Sequence, residues 1–209
     1  MKFSLHEFTV VPRAATPMIA ATLRVDLPAY ESVAALALRS QVMIEPAQRT
    51  YDEAEASALY PLFGTRPEFG RTQRSLLWTH VDAVIPSFTD HALVRLLLPC
   101  SLDLTVAVTR LFTALETGDI PLRFLFSGTF FNIIGGTVQV TPISWSSELP
   151  ARMPAELWHQ VIEQHHPGIT FLPLQRDLVA RLDAHRLARG LLTWDRALED
   201  LLRTREGES

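Results

Sequence analysis

The strongest constraint on this chain is a two-residue alternation of apolar and polar side chains that recurs through its first two-thirds. Ile19, Ala21, Leu23 and Val25 alternate with Ala20, Thr22, Arg24 and Asp26. Leu36, Leu38, Val42 and Ile44 do the same against Arg39, Gln41 and Glu45. A period of two places successive side chains on opposite faces of an extended backbone, so such segments form strands with one buried and one wet face. Residues 3–11, rich in β-branched and aromatic side chains and closed by Pro12, add a strand before these. Three successive strands joined by proline-containing connections predict an antiparallel meander or sandwich.

The alternation pauses at residues 51–63. Asp52 is placed to cap a short helix, with Glu53 and Glu55 in its first turn and Gly64 at its end. Residues 64–74, polar and interrupted by Pro67 and Gly70, read as a long loop. Strands resume at 75–85, with Leu77, Thr79, Val81, Ala83 and Ile85 assigned to one face and Trp78, His80 and Asp82 to the other. A further strand at 92–98 ends at Pro99, and Val108, Leu111, Phe112 and Leu115 then fall at helical spacing before Gly118. Residues 122–132 and 137–145 read as a hairpin around Gly135-Gly136.

The last third changes character. Pro154 suits the first turn of a helix running to about His166, stopped by Pro167-Gly168. Residues 169–172 read as a short strand, and a helix follows over 176–189. Thr193 caps a last helix whose Trp194, Leu198, Leu201 and Leu202 are expected to be buried. The expected class is therefore α+β: a mainly antiparallel sheet or sandwich over residues 3–145 with an embedded helix, then a C-terminal helical segment. The expected division is a β-rich domain over 1–150 with a helical segment, 151–209, packed on it.

Composition narrows the function classes. With 47% hydrophobic and 20% charged residues among 209, the chain suits a globular protein that needs neither disulfide nor metal to hold its core. The formal net charge is −4, Lys2 is the only lysine and arginine supplies every other basic side chain; no basic stripe appears along the sequence to neutralise phosphates, so no nucleic-acid partner is expected. Cys100 stands alone, which excludes an intramolecular disulfide and a multi-thiolate zinc site. The first twelve residues lack the pattern of a signal peptide, and no apolar run reaches the length of a membrane span. A cytoplasmic protein without a membrane partner is the expectation.

Few residues suggest chemistry. His80 and Asp82, two positions apart on a strand, point the same way, so the carboxylate could orient the imidazole for proton transfer. Cys100, at a strand-to-helix junction, is a second candidate. His159, His165 and His166 lack the i, i+4 spacing of helical metal ligands, and no metal or cofactor is assigned. Glycines near Ser127 and at 135–136 match no phosphate-cradling, dinucleotide-binding or nucleophile-elbow motif.

Several strings together resemble an uncharacterised bacterial family, a domain of unknown function common in actinobacteria. They are Gln41 to Pro46 followed by Arg49 and Tyr51, Leu62-Phe63-Gly64, Leu77 to Val81, Pro99-Cys100, Gly118 to Leu122, Leu125 to Thr129, and Thr193-Trp194. That resemblance implies a setting in gene clusters of the actinobacterial type of nickel–iron hydrogenase and an accessory role there, with no active-site residues to carry over. The order of strands, loop and helix through Gly118-Asp119-Ile120-Pro121-Leu122 is similar to SecB-type export chaperones, by architecture alone. The leading expectation is a non-enzymatic chaperone or assembly factor for a protein partner, which the resemblance implies is a hydrogenase subunit, with Phe63, Phe69, Trp78 and Trp145 as partner-binding candidates. A small hydrolase or transferase using the His80/Asp82 face is the alternative. A structural subunit that completes a complex or self-assembles is the third.

Overall fold

The computed structural model describes residues 1–27, 32–103, 105–134 and 136–206. Elements follow in the order β1 (Lys2–Val10), β2 (Met18–Asp26), β3 (Ser32–Val33), β4 (Ala35–Ile44), α1 (Glu53–Ala58), α2 (Tyr60–Phe63), α3 (Phe69–Thr72), β5 (Leu76–Ile85), β6 (Phe88–Thr89) and β7 (His91–Pro99). After these come α4 (Ala107–Ala114), β8 (Asp119–Ile134), β9 (Thr137–Pro142), β10 (Glu148–Pro154), α5 (Glu156–His165), α6 (Arg176–Ala188) and α7 (Trp194–Glu206). The protein is α+β, as the alternation predicts.

Every described strand pairing is antiparallel. One sheet has the order β1-β2-β7; a larger one has the order β10-β8-β4-β5, with β9 also paired to β8; β3 and β6 form a two-stranded ribbon. The sequential strands β2 and β4 thus lie in different sheets, which favours the sandwich over the meander. The inward faces of both sheets share one core: Ile19, Leu23 and Val25 join Leu36, Val42, Ile44 and Phe124. Phe3 of β1 stacks on Phe126 of β8 with ring centroids 3.9 Å apart. Each half-buried strand can be covered only by another apolar face, and the second sheet supplies it.

Two positions explain how β8 fits. Gly128 has φ +142, and a β-carbon there would lie 2.1 Å from the Ala37 carbonyl oxygen, so only glycine lets β8 run this close to β4. At the end of β4, Glu45 is buried although the alternation places it on the wet face. Its carboxylate accepts from Arg123 Nε at 2.8 Å and from Ser75 Oγ at 2.6 Å, partners that make burial of the charge tolerable.

Several expectations are corrected. Residues 64–74 are mostly helical: a 3-10 turn over Arg66–Glu68 leads into α3. Thr65 and Glu68 cap this turn reciprocally, Pro67 sits in its first turn, and Phe69 is buried. Pro154 ends a strand instead of starting a helix. Among the described residues β10 pairs only with β8, and an edge strand tolerates Pro150 and Pro154. Ala151 and Met153 are buried in period two, a pattern visible in the sequence between those prolines. Residues 169–172 form no strand. The hairpin at 122–145 is present as β8 and β9, though Gly135 itself lies outside the described residues.

The chain divides into two compact units, Met1–Phe171 and Leu172–Ser209. The second unit is a pair of helices. Asp200 of α7 accepts from Arg189 Nη2 at 3.1 Å and faces His185 Nε2 of α6 at 3.1 Å, while Arg186 lies over the Trp194 ring at 5.2 Å. Thr193 Oγ1 accepts from the Arg196 amide, so the expected cap is present. Ala197 is buried, while Trp194, Leu198, Leu201 and Leu202 are exposed, contrary to the expected burial of that stripe.

Candidate functional site

The cleft that gathers the most candidate residues forms around the end of β7. Pro99 closes that strand, and the Cys100 amide donates to the Pro17 carbonyl at 2.9 Å, fixing the thiol in the interior. Across from it, the pairing of β5 with β4 slips: Val42 faces Thr79 but Met43 faces Leu77, leaving Trp78 as an extra residue in a β-bulge. The bulge reverses the parity of the strand. Trp78 therefore turns toward the core side, away from His80 and Asp82, while Leu77 is exposed. The run Leu76-Leu77-Trp78, three bulky apolar residues in succession, is the only sequence sign that alternation fails here.

Trp78 Nε1 donates to the Pro99 carbonyl at 3.0 Å, so the indole is buried on one side without an orphan donor. Its ring meets Phe112 of α4 edge-on at 4.8 Å, and Phe112 meets Trp158 of α5 at 4.8 Å. The resulting cleft, about 360 Å³, is walled by Trp78, Trp158, Pro17 and Val108, with Val106 at 43% exposure among its lining residues. Thr109 also lines it, but its hydroxyl is committed to the Ser101 carbonyl at 3.1 Å. Burial pushes the Cys100 thiol up to about 12, and a backbone hydrogen bond offsets this only in part. A thiol so placed stays protonated at neutral pH and is a poor nucleophile. A thiol reagent at pH 8 is expected to label Cys100 at least roughly 100-fold more slowly in the native protein than in urea; equal rates would show that the thiolate is accessible.

The other candidates lie elsewhere. His80 and Asp82 sit on the exposed outer face of the larger sheet. His80 is paired across from Gln41 and borders a shallow depression of about 270 Å³ with Arg39 and Ser127. Asp82 faces Arg39 at 3.6 Å, a solvent-exposed pair of little energetic weight. Cys100 lines a different cleft, so these three side chains do not converge. Phe63 and Phe69 are buried and meet each other edge-on at 5.6 Å, contributing to the core rather than to an outer surface. Trp145, in contrast, is 94% exposed. His159 and His165 turn ring nitrogens to the backbone carbonyls of Leu115 and Val161, and among the described residues no three His, Cys, Asp or Glu side chains gather.

A second cluster unites strings that are far apart in sequence. Arg49 donates to the carbonyls of Asp119 (2.8 Å) and Thr117 (2.7 Å) and pairs with the Glu55 carboxylate. Glu55 also completes a capping box with Asp52 at the start of α1. Tyr51 donates to the Pro46 carbonyl, and its hydroxyl is pushed up to about 12, chiefly by burial. Gly118 has φ +75 and leaves the space that the guanidinium fills, since a β-carbon would stand 3.1 Å from Arg49 Nη1. A depression of about 640 Å³ opens beside this cluster. Both terminal nitrogens of Arg49 are already held by the protein, so the group ties the α1 region to the start of β8. Sequence reading places Glu55 as a helix-start charge and finds no reason to join it to residues near 118.

A two-sheet α+β framework with an apolar, two-tryptophan cleft is the class that fold and site define. The chain belongs to a family of unknown function, DUF6084, whose model matches residues 1–209. No curated protein matches it. Among solved structures it is similar to a putative late embryogenesis abundant protein, with 13% identity over 73% of this chain and 70% of that one and a TM-score of 0.32. A protein from Archaeoglobus fulgidus is similar at 12% identity, over 72% of this chain and 97% of that one, with a TM-score of 0.31. Scores this low carry no argument about fold or function. Among the described residues no helix is long and apolar enough to cross a membrane.

Proposed function

We propose that this is a non-enzymatic accessory protein that binds a protein partner, receiving an apolar side chain of that partner between Trp78 and Trp158. The character of the cleft supports this reading most directly. Its walls are largely apolar, the Thr109 hydroxyl is spent within the protein, and its thiol is held protonated. At about 360 Å³ it lies near the lower end of the roughly 300–1,000 Å³ of small-molecule sites, room for a bulky side chain rather than a dinucleotide. Apolar anchors seated in such pockets dominate the affinity of protein interfaces. The gene-cluster setting implied by the family resemblance makes a nickel–iron hydrogenase subunit the first partner to test.

Val106 offers a clean probe, because it lines the cleft while remaining exposed. Val106→Arg places a charge where the anchor would enter and is expected to leave stability within about 0.5 kcal/mol of the parent. Affinity capture from the native host should recover a partner with the parent protein and lose it with V106R. Equal recovery with both proteins, or none with either, would remove the support for this reading.

A further inference from the structure

We propose that two copies of this chain join through the free edge of β9, so that their larger sheets run on into one another. Residues 124–147, between Arg123 and Glu148, form a stretch of 24 without a charged side chain in a protein that is 20% charged overall. Within it, β9 pairs with β8 on one side and with no other strand among the described residues on the other. Natural sheet edges are ordinarily shielded by lysine, by an inward charge or by a covering element. Thr137, Val138, Gln139, Val140 and Thr141 offer no charge at all, and every residue of β9 is exposed.

The backbone parity fixes which groups are free. The Ile143 amide donates to the Gly128 carbonyl in the same register that pairs Phe130 with Thr141 and Asn132 with Gln139. By the alternation of an antiparallel ladder, the odd-numbered residues of β9 face β8, while the N–H and C=O groups of Val138 and Val140 point outward. A second copy laid antiparallel, with Gln139 opposite Gln139, puts Val138 against Val140 and Thr137 against Thr141. Four main-chain hydrogen bonds form, two amide side chains meet at the two-fold axis, and hydroxyl faces hydroxyl. Val138, Val140 and Ile133, at 59, 60 and 64% exposure, share one face and gain a continuous apolar strip across the junction.

Charge decides the occupant. A foreign segment of ordinary composition would lay charged residues against an edge that offers them no counter-charge. The same stretch of a second copy brings none, and the two-fold arrangement is self-complementary. The junction is small by the standard of obligate dimers, so it should dissociate on dilution.

Sedimentation velocity of the full chain over a dilution series tests this. The parent protein is expected to shift from dimer to monomer as concentration falls, and Val140→Pro is expected to stay monomeric throughout. That proline removes an outward N–H needed for the junction and none needed by β8, so the thermal midpoint should not move. If V140P proves unstable, Val140→Lys decides, since it keeps the N–H and sets two ammonium groups near each other at the junction. A parent protein that is monomeric at every concentration, or a dimer that survives both substitutions, overturns the proposal. So does a parent protein that stays monomeric while binding a foreign strand peptide at this edge, which would assign the edge to another partner. This outcome is independent of whether V106R releases a partner from the cleft.

Discussion

Arg49→Ala is expected to lower the stability of the protein by about 3–5 kcal/mol, the usual consequence of removing one partner of a buried ion pair. The side chains of Arg49 and Glu55 are each only 11% exposed, so solvent screens their interaction weakly. Alanine would leave the Glu55 carboxylate without its countercharge and the Thr117 and Asp119 carbonyls without their donors. Those two carbonyls stand 68 and 70 positions away along the chain, so no neighbour in sequence can replace the guanidinium. For a chain of this size the thermal midpoint should fall by on the order of 10 °C. Arg49→Lys should recover only part of the loss, because one ammonium cannot span two carbonyls and a carboxylate in the plane of a guanidinium. Urea unfolding followed by circular dichroism gives the test. A loss below about 1 kcal/mol would mean that the cluster is an ordinary surface pair.

The second large effect is expected at Gly128. Gly128→Ala should either prevent accumulation of soluble protein or cost more than about 4 kcal/mol, beyond the ordinary range for single substitutions. Two penalties coincide there: a φ of +142 that a β-carbon strains, and a backbone oxygen 2.1 Å from where that carbon would sit. The oxygen belongs to Ala37 of β4, so relief would require parting the two central strands of the larger sheet. Gly70→Ala is the matched control, since a β-carbon there meets nothing within 4 Å. It should change stability by no more than about 1 kcal/mol, in either direction. A G128A protein that melts within a few degrees of the parent would contradict the close approach of β4 and β8.

The two clusters differ in how far the sequence discloses them. Asp52, with Glu55 three residues on, is a helix start written in adjacent residues, and the cap forms there. The other half of Glu55's role depends on Thr117 to Asp119 arriving from the far side of the sheet, and no spacing rule reaches that far. The strings that carry the family resemblance nevertheless meet there: Pro46, Arg49 and Tyr51 from one string and Gly118-Asp119 from another. Cys100 was legible as a strand-end residue; the burial of its thiol at the cleft that Trp78 and Thr109 also line was not.

The alternation of apolar and polar residues determined the strands, Asp52 and Thr193 set the starts of the first and last helices, and the absence of thiol pairs and basic stripes followed from composition. These are local or summed properties, which a chain carries before it folds. Only the tertiary structure decided that β2 and β4 part into facing sheets, that a one-residue bulge turns Trp78 away from His80, and that residues 64–74 coil beneath Tyr51. Each of those outcomes depends on which distant surface covers which, and a side chain cannot encode its partner's position until the backbone has brought the two together.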